Sequence, residues 1–320
     1  MKKFEDNQKV QRLKPTYNDV WQCFSACSQC YQNLPITYST CASVLEKKFK
    51  NRHTLAKTSR CDRAFTSNGR TADTAHEKAE CLNSVFADKP CVPNPLLSVP
   101  TLPTHTQLFL DCVSISSEKV ESLLSNLDSD SAIGPDSISP RVLKTCSGAL
   151  AHPRSVLFTL SFAQGHLPSA WKSANITALH KKGAKTDPCN CRPISLPPII
   201  SKVMESIIAS DIKSFLFSNG LISDHQFGFR PGYSTLDMLL LLSQQCMEIL
   251  NARHEITAIS LDISCAFDTV WHPALLTKLS SYGVQGHHHS WLTGFLSCCS
   301  HRVTHDGVPS SPLPVQAGVH

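Results

Sequence analysis

A short apolar run that ends in an acidic residue constrains the fold of this chain most. Ile259-Ser260-Leu261-Asp262 alternates like a β-strand, and we expect a strand over residues 256–262 with Asp262 at its tip. An aromatic residue, Phe267, follows five positions later. The Asp262 carboxylate and the Ile263 carbonyl are hard oxygen donors of the kind that Mg²⁺ prefers. An ordinary strand-to-helix turn has the same spacing, and the residues alone leave both interpretations open.

The composition indicates a folded protein and gives a weak hint about its partner. The chain has 320 residues, of which 41% are hydrophobic and 17% charged, so it can bury more than one core. Its formal net charge of +5 weakly favours a polyanionic partner. The longest purely apolar run, Met238 to Leu242, is too short for a membrane span, and the charged N-terminus does not resemble a secretory signal. We therefore expect an intracellular location, in nucleus or cytoplasm, without membrane contact.

The 15 cysteines do not indicate a disulfide framework, because no secretory signal accompanies them. Cys23, Cys27, Cys30 and Cys41 have a spacing that resembles a metal site at first sight. C-x3-C-x2-C followed by a single cysteine matches zinc templates poorly. We expect free structural thiols and keep zinc as the alternative.

The pattern along the chain changes near residue 115. Residues 1–115 look largely irregular, with a short helix at 75–87 and a proline-rich linker at 88–106. From 116 to 320 we expect one domain that alternates helices and strands. The predicted helices begin near Val120, Ser139, Arg154, Ser201, Ser234 and His272, and the predicted strands cover 174–180 and 301–308, with hairpin partners at 192–194 and 313–319.

Basic residues cluster at the predicted hairpin that follows strand 174–180. Its tip is flanked by Lys181, Lys182 and Arg192, which are suited to bind a triphosphate. A lysine would act as a point charge, and an arginine would donate two parallel hydrogen bonds. A solvated loop would carry the same charges. Arg230 lies in a Phe/Gly/Pro-rich turn that could direct it at a phosphate or a template backbone; it could equally cap a helix.

Several of these motifs, taken in order, resemble the reverse transcriptases of non-LTR (LINE-type) retrotransposons over roughly Thr71 to Val319. The resemblance is carried by Ala75 to Ala87, Ala132-Ile133-Gly134-Pro135-Asp136, Leu167-Pro168-Ser169-Ala170-Trp171-Lys172, His180-Lys181-Lys182-Gly183, Arg192-Pro193-Ile194-Ser195-Leu196, Gln226 to Thr235, Leu261 to Val270 and Val315 to Val319. One such motif is modest support, whereas their shared order and spacing are specific to that family.

The resemblance implies an α+β right-hand polymerase, with fingers and part of a palm after a poorly ordered N-terminal region. It implies Asp262 as a magnesium ligand, with the Ile263 carbonyl beside it, and Phe267 as a gate that excludes a sugar 2′-hydroxyl. Lys181, Lys182 and Arg192 would lie near the triphosphate. Gln226 and Arg230 would lie near template and primer. The partners implied are an RNA template, a DNA primer and deoxynucleoside triphosphates, while the oligomeric state stays open.

The sequence departs from this family at its end. Family members continue past Ala317-Gly318-Val319 with a Pro-Gln-Gly segment and an Ala-Asp-Asp turn, whereas this sequence ends at His320 and contains no adjacent pair of aspartates. Cys191 and Cys265 also replace an aromatic and a basic residue of the family pattern. We expect a C-terminally truncated reverse transcriptase with little or no polymerase activity. The alternatives are a nucleic-acid-binding remnant without catalysis and an inert pseudogene product.

Overall fold

The computed structural model describes residues 65–67, 70–88, 98–110, 113–181, 183–263 and 265–318. The cysteine group at 23–41 lies outside the described residues, as do residues 1–64 of the region 1–115 that we expect to be largely irregular. Helices combine with a mostly antiparallel sheet, an architecture compatible with the predicted α+β class. None of the described helices has both the length and the apolar character needed to cross a membrane.

Eight α-helices are present in the described part of the chain. They are α1 (Ala75–Asp88), α2 (Ser117–Ser125), α3 (Pro140–Thr145), α4 (Ser147–Gln164), α5 (Ile199–Ser218), α6 (Thr235–Asn251), α7 (His272–Ser281) and α8 (Gly286–Leu296). Local signals explain several of their ends. Ser139 caps α3 with Pro140 in its first turn, and Ser234 forms a capping box with Asp237 at the start of α6. Gly165, in the left-handed region, ends α4.

The main sheet joins distant parts of the sequence. Its strands are β3 (Ser173–His180), β4 (Cys191–Leu196), β5 (Ser300–His305), β6 (Val308–Pro309) and β7 (Leu313–Pro314), and a separate pair is formed by β1 (Phe65–Ser67) and β2 (Arg70–Ala72). The predicted hairpin is confirmed, since β3 and β4 are antiparallel with Leu179 opposite Arg192. The sheet also contains a pairing that we did not predict, because β5 lies parallel to β3.

The larger core is built around α5, whose buried residues contact α2, α4, α7 and α8 in one cluster. Val203, Met204, Ile207 and Ile208 of α5 are all at most 1% exposed. Full burial of one such aliphatic side chain contributes about 1.5–3 kcal/mol. This helix therefore anchors the helical layer.

A smaller core holds the N-terminal described segment against the sheet. Phe65, Leu82 and Phe86 pack with Ile176 of β3 and Val303 of β5. The described residues between 65 and 88 are thus joined to strands that lie far away in sequence, the first of which begins at Ser173. Helix α1 confirms the helix expected at 75–87. A domain division near residue 115 stays a prediction.

The prediction of a strand at 256–262 is wrong. Residues 254–263 pair with no strand in the described part of the chain and form no regular secondary structure. The physical reason is that alternation of apolar residues favours a strand only where a neighbouring strand satisfies its backbone groups. The C-terminal hairpin is confirmed in outline, because both β6 and β7 pair antiparallel with β5.

Glu80 of α1 connects that helix to the loop between β6 and β7. The backbone N–H and the hydroxyl of Ser311 both donate to Glu80 Oε1, at 2.7 and 2.8 Å. These bonds hold the pKa of the Glu80 carboxyl below its ordinary value of 4.5. Since the folded-state pKa is depressed, the stabilisation is present above that value and is lost as the pH falls through the folded pKa.

We expect Glu80→Gln to destabilise the fold at pH 7 by less than about 1 kcal/mol, because the site is largely solvated. The difference between variant and parent should shrink as the pH falls below 4.5. Urea denaturation of parent and variant at pH 7 and pH 3.5 measures the stability difference and its change with pH. A difference that grows on acidification would contradict this account.

Candidate active site

Asp262 lies in segment 254–263, which forms no regular secondary structure, and its side chain is exposed. Among the described residues, no hydrogen bond or ion pair occupies the Asp262 carboxylate. An open carboxylate with the adjacent Ile263 carbonyl is suited to a partly hydrated hard cation.

The turn after Asp262 carries Phe267 and is held by its own backbone. The carbonyl of Cys265 accepts from the backbone N–H groups of Asp268 and Thr269, at 2.8 and 3.1 Å. Cys265 itself has a φ of 53°, in the left-handed region that costs a non-glycine residue energy. Phe267 is half-buried in this turn. Its ring is therefore held in place more firmly than the exposed Asp262.

Gly318 holds the same turn from the far end of the sequence. Its N–H donates to the Val270 carbonyl at 2.9 Å, and its carbonyl accepts from His272 Nε2 at 2.7 Å. A Cβ atom at position 318 would lie 2.6 Å from the Asp268 carbonyl oxygen, and the φ of Gly318 is 80°. Only glycine fits this close approach. Gly318, which belongs to the Val315 to Val319 motif, thus supports the turn that carries Phe267.

The basic hairpin is ordered by polar residues at its tip. Lys181 follows β3 directly, and its N–H donates to the Asn190 carbonyl at 2.8 Å. Asp187 accepts from the Cys189 N–H and from the Asn190 amide, so its carboxylate organises the turn. Lys181, just after β3, and Arg192 of the neighbouring strand β4 are both exposed. Lys182 lies outside the described residues.

The Gln226–Arg230 turn is stabilised from within. Gln226 is buried, and its amide donates to the Gly228 carbonyl at 3.3 Å. The Arg230 guanidinium donates to the Ser223 carbonyl and to the Asp224 carboxylate, each at 2.9 Å. It also lies 4.2 Å from the centre of the Tyr233 ring. Arg230 therefore braces this turn and does not cap a helix, since Ser234 caps α6.

The predicted site residues fall into three local groups: the Asp262 segment with Phe267, the basic hairpin, and the Gln226–Arg230 turn. In the described parts of the chain, no hydrogen bond or ion pair joins Asp262 to Lys181, Arg192 or Arg230. The described residues also contain no group of three or more His, Cys, Asp or Glu side chains that could hold a metal. The hard oxygen donors at this position are the Asp262 carboxylate and the Ile263 carbonyl.

A cavity that the sequence did not predict lies between the sheet and α8, with a volume of about 60 Å³. Glu205, which is 3% exposed, and the buried His301 both line it. Glu205 accepts a 2.8 Å hydrogen bond from the Ser201 hydroxyl. The sequence signal for this cavity was Glu205, an acidic residue within the apolar stripe of α5. Such a residue by itself indicates only an internal polar contact.

Comparison with known proteins identifies the family of this chain. Residues 179–319 match the family described as reverse transcriptase (RNA-dependent DNA polymerase). The chain is 31% identical over 214 residues to the RNA-directed DNA polymerase from mobile element jockey of Drosophila melanogaster. The aligned region covers 67% of this chain and 23% of the relative. The chain is also 33% identical over 162 residues to the probable RNA-directed DNA polymerase from transposon X-element of the same species. This alignment covers 50% of this chain and 18% of the relative.

A more distant relative is the retrovirus-related Pol polyprotein from the type-1 retrotransposable element R2 of Popillia japonica. It is 28% identical over 138 residues, which is 43% of this chain and 19% of the relative. The matched region thus resembles the polymerase domain of reverse transcriptases. The chain belongs to the reverse transcriptases, in their non-LTR, LINE-type branch. It spans less than a quarter of the jockey relative.

Proposed function

We propose that this chain forms the fingers and the first part of the palm of an RNA-directed DNA polymerase. The observation that carries the proposal is the reverse transcriptase match over residues 179–319, which includes both the basic hairpin and Asp262. A polypeptide of these 320 residues is proposed to bind polymerase ligands without turning them over. The substrates proposed for the complete enzyme are an RNA template, a DNA primer and deoxynucleoside triphosphates.

Each group of residues has a distinct proposed role. Asp262 and the Ile263 carbonyl bind a divalent cation, and the Phe267 ring excludes a 2′-hydroxyl on the incoming sugar. Lys181, Lys182 and Arg192 neutralise the triphosphate; this is supported by the exposure of Lys181, which follows β3, and of Arg192 on the neighbouring strand β4. The Gln226–Arg230 turn presents a rigid surface to template and primer. The metal, when bound, would supply charge stabilisation at the phosphates.

The reason for the proposed inactivity is the number of carboxylates. Two-ion catalysis needs carboxylates that hold both cations roughly 3.5–4 Å apart. Between Ile256 and His320 the acidic residues are Asp262, Asp268 and Asp306. Asp306 lies in the β5–β6 turn, with its carboxylate 3.5 Å from His305. This turn is not part of the Asp262 segment, so it does not substitute for an Asp-Asp pair.

The test is a primer-extension assay with an RNA template. The 320-residue polypeptide is compared with a chimera in which the segment that follows the aligned region of the jockey relative is joined after His320. The chimera is expected to extend the primer and the 320-residue polypeptide is not. A folded chimera that binds nucleic acid and does not extend would overturn the proposal. Extension by the 320-residue polypeptide would overturn the proposed inactivity.

A second candidate function is nucleic-acid binding without catalysis. The exposed cations of the basic hairpin and the net charge of +5 favour it. Phosphate contacts release counterions, so affinity should fall linearly with the logarithm of salt concentration. Binding that is independent of salt would remove the basis of this candidate, and absence of binding would favour an inert product.

Two substitutions separate a phosphate contact from an internal one. Lys181→Gln is expected to reduce the slope of log affinity against log salt by about one, because it removes one phosphate contact. Arg230→Gln is expected to leave that slope unchanged, because its charge already pairs with Asp224. Fluorescence anisotropy with a labelled RNA over a salt series measures both slopes. A reduced slope for Arg230→Gln would mean that this residue contacts phosphate.

A further inference from the structure

The loop between β6 and β7 presents a serine–proline pair on the surface. Ser311 and Pro312 are exposed, whereas the neighbouring Ser310 is 6% exposed. These three residues form no regular secondary structure, since β6 ends at Pro309 and β7 begins at Leu313. A proline that follows a serine has a fixed φ and no backbone N–H, so an enzyme can recognise it by shape. The Ser311 hydroxyl is therefore an exposed nucleophile in an irregular loop.

Ser311 is also the residue through which this loop contacts α1. Its backbone N–H and its hydroxyl donate to Glu80 Oε1 at 2.7 and 2.8 Å, and its carbonyl accepts from the Asn83 amide at 2.8 Å. The two bonds to Glu80 are exposed to solvent, and exposed hydrogen bonds open at a small cost in free energy. The hydroxyl can therefore leave Glu80 while Leu82 and Phe86 of α1 stay packed in the smaller core.

We infer that Ser311 is a phosphorylation site for a protein kinase that selects a serine followed by a proline. In this step Ser311 Oγ attacks the γ-phosphorus of ATP, and the bond between that phosphorus and ADP breaks. The hydroxyl proton passes to a base of the kinase, and the products are ADP and a phosphoserine. The phosphate carries about −1.5 to −2 charges at pH 7. The inference does not depend on the proposed polymerase function.

The other serine–proline pair of the sequence lies in a different environment. Ser139 caps α3, where its side chain accepts from the Arg141 N–H at 3.3 Å, and Pro140 is buried. A kinase could bind this pair only after the first turn of α3 had opened and Pro140 had left the core. Pro312 is exposed and needs no such rearrangement. We therefore expect a kinase to modify Ser311 and to leave Ser139 unmodified.

A phosphate on Ser311 opposes the carboxylate of Glu80. The modification removes the hydroxyl that donates to Glu80 and puts negative charge in its place, and a phosphate beside an acidic residue disrupts the contact by like-charge repulsion. Repulsion between two unit charges about 4 Å apart in water changes an equilibrium by roughly fivefold. The contact between the loop and α1 should therefore open at least about fivefold more often. Phosphorylation thus loosens the attachment of α1 to this end of the sheet.

The site is tested with the 320-residue polypeptide, ATP and a purified mitogen-activated protein kinase, a class of kinase that selects serine–proline pairs. Mass spectrometry of peptides locates the phosphate, which is expected on Ser311. Ser311→Ala should remove it, and Ser310, which lies in the same loop and is not followed by proline, is the internal control. Phosphate on Ser139 or Ser310 in place of Ser311, or no phosphate at all, would overturn the inference.

Hydrogen exchange of the phosphorylated and the unmodified polypeptide measures the consequence. The amides of α1 are expected to exchange at least about fivefold faster after phosphorylation, while those of α5 keep their rates. In Glu80→Gln this acceleration should be largely lost, because a carboxamide carries no charge. Unchanged exchange in α1, or equal acceleration in Glu80→Gln, would contradict the repulsion. Slower exchange would mean that the phosphate pairs with His76, which lies 3.9 Å from Glu80, and would equally overturn the inference.

Discussion

Asp262→Ala in the jockey chimera is expected to lower RNA-templated primer extension by at least 10²–10³-fold, on the order seen when one preorganised electrostatic contact is removed. The loss should exceed that of any change in the basic hairpin, because a metal ligand acts where charge develops in the transition state. Its carboxylate is exposed, so the substitution removes no core contact. Steady-state extension over a magnesium titration, with nucleic-acid affinity measured in parallel, is the appropriate assay.

Asp306→Ala is the matched control for this experiment. Asp306 is also an exposed aspartate of the matched region, and it lies in the β5–β6 turn. Its substitution should leave extension within about twofold of the parent chimera, since a surface change away from packed features has little effect. If Asp262→Ala were as active as the parent chimera, Asp262 would not be the metal ligand. Equal loss in both would indicate damage to the fold.

Trp291→Ala should have the largest effect on stability, about 3–5 kcal/mol, because it leaves a cavity in the main core. Trp291 of α8 is 1% exposed and stacks on Phe295 with ring centres 5.3 Å apart. Its indole N–H donates to the Ser161 hydroxyl of α4 at 3.4 Å. Urea denaturation followed by circular dichroism at 222 nm, which is a general helix signal, measures the free energy of unfolding.

Trp291→Phe separates the two contributions of this side chain. Phenylalanine retains an aromatic ring against Phe295 and loses the hydrogen bond to Ser161, so its cost should be clearly smaller than that of alanine. An alanine variant that unfolds at the same urea concentration as the parent would show that α8 does not depend on Trp291. A phenylalanine variant as unstable as alanine would assign most of the effect to the hydrogen bond.

The sequence predicted the elements whose causes are local. The Ser139-Pro140 cap, the Ser234 cap and the apolar stripe of α5 each act within a few residues, and all three helices are present. The β3–β4 hairpin was equally accessible, because its strands are close in sequence. The basic cluster at its tip and the Asp262 motif could be identified as a candidate site by residue type and order. These features, together with the shared motif order, were enough to identify the family.

Only the tertiary structure could decide contacts between distant segments. It placed β5 parallel to β3 and packed α1 on that sheet. It also brought Gly318 against Asp268 in the turn that carries Phe267. It also showed that Arg230 braces its own turn and that residues 254–263 pair with none of the strands in the described part of the chain. The physical reason is that capping and helix periodicity depend on neighbours a few positions away. Strand pairing depends on which remote backbone groups are free to accept and donate hydrogen bonds, and local sequence carries little information about that.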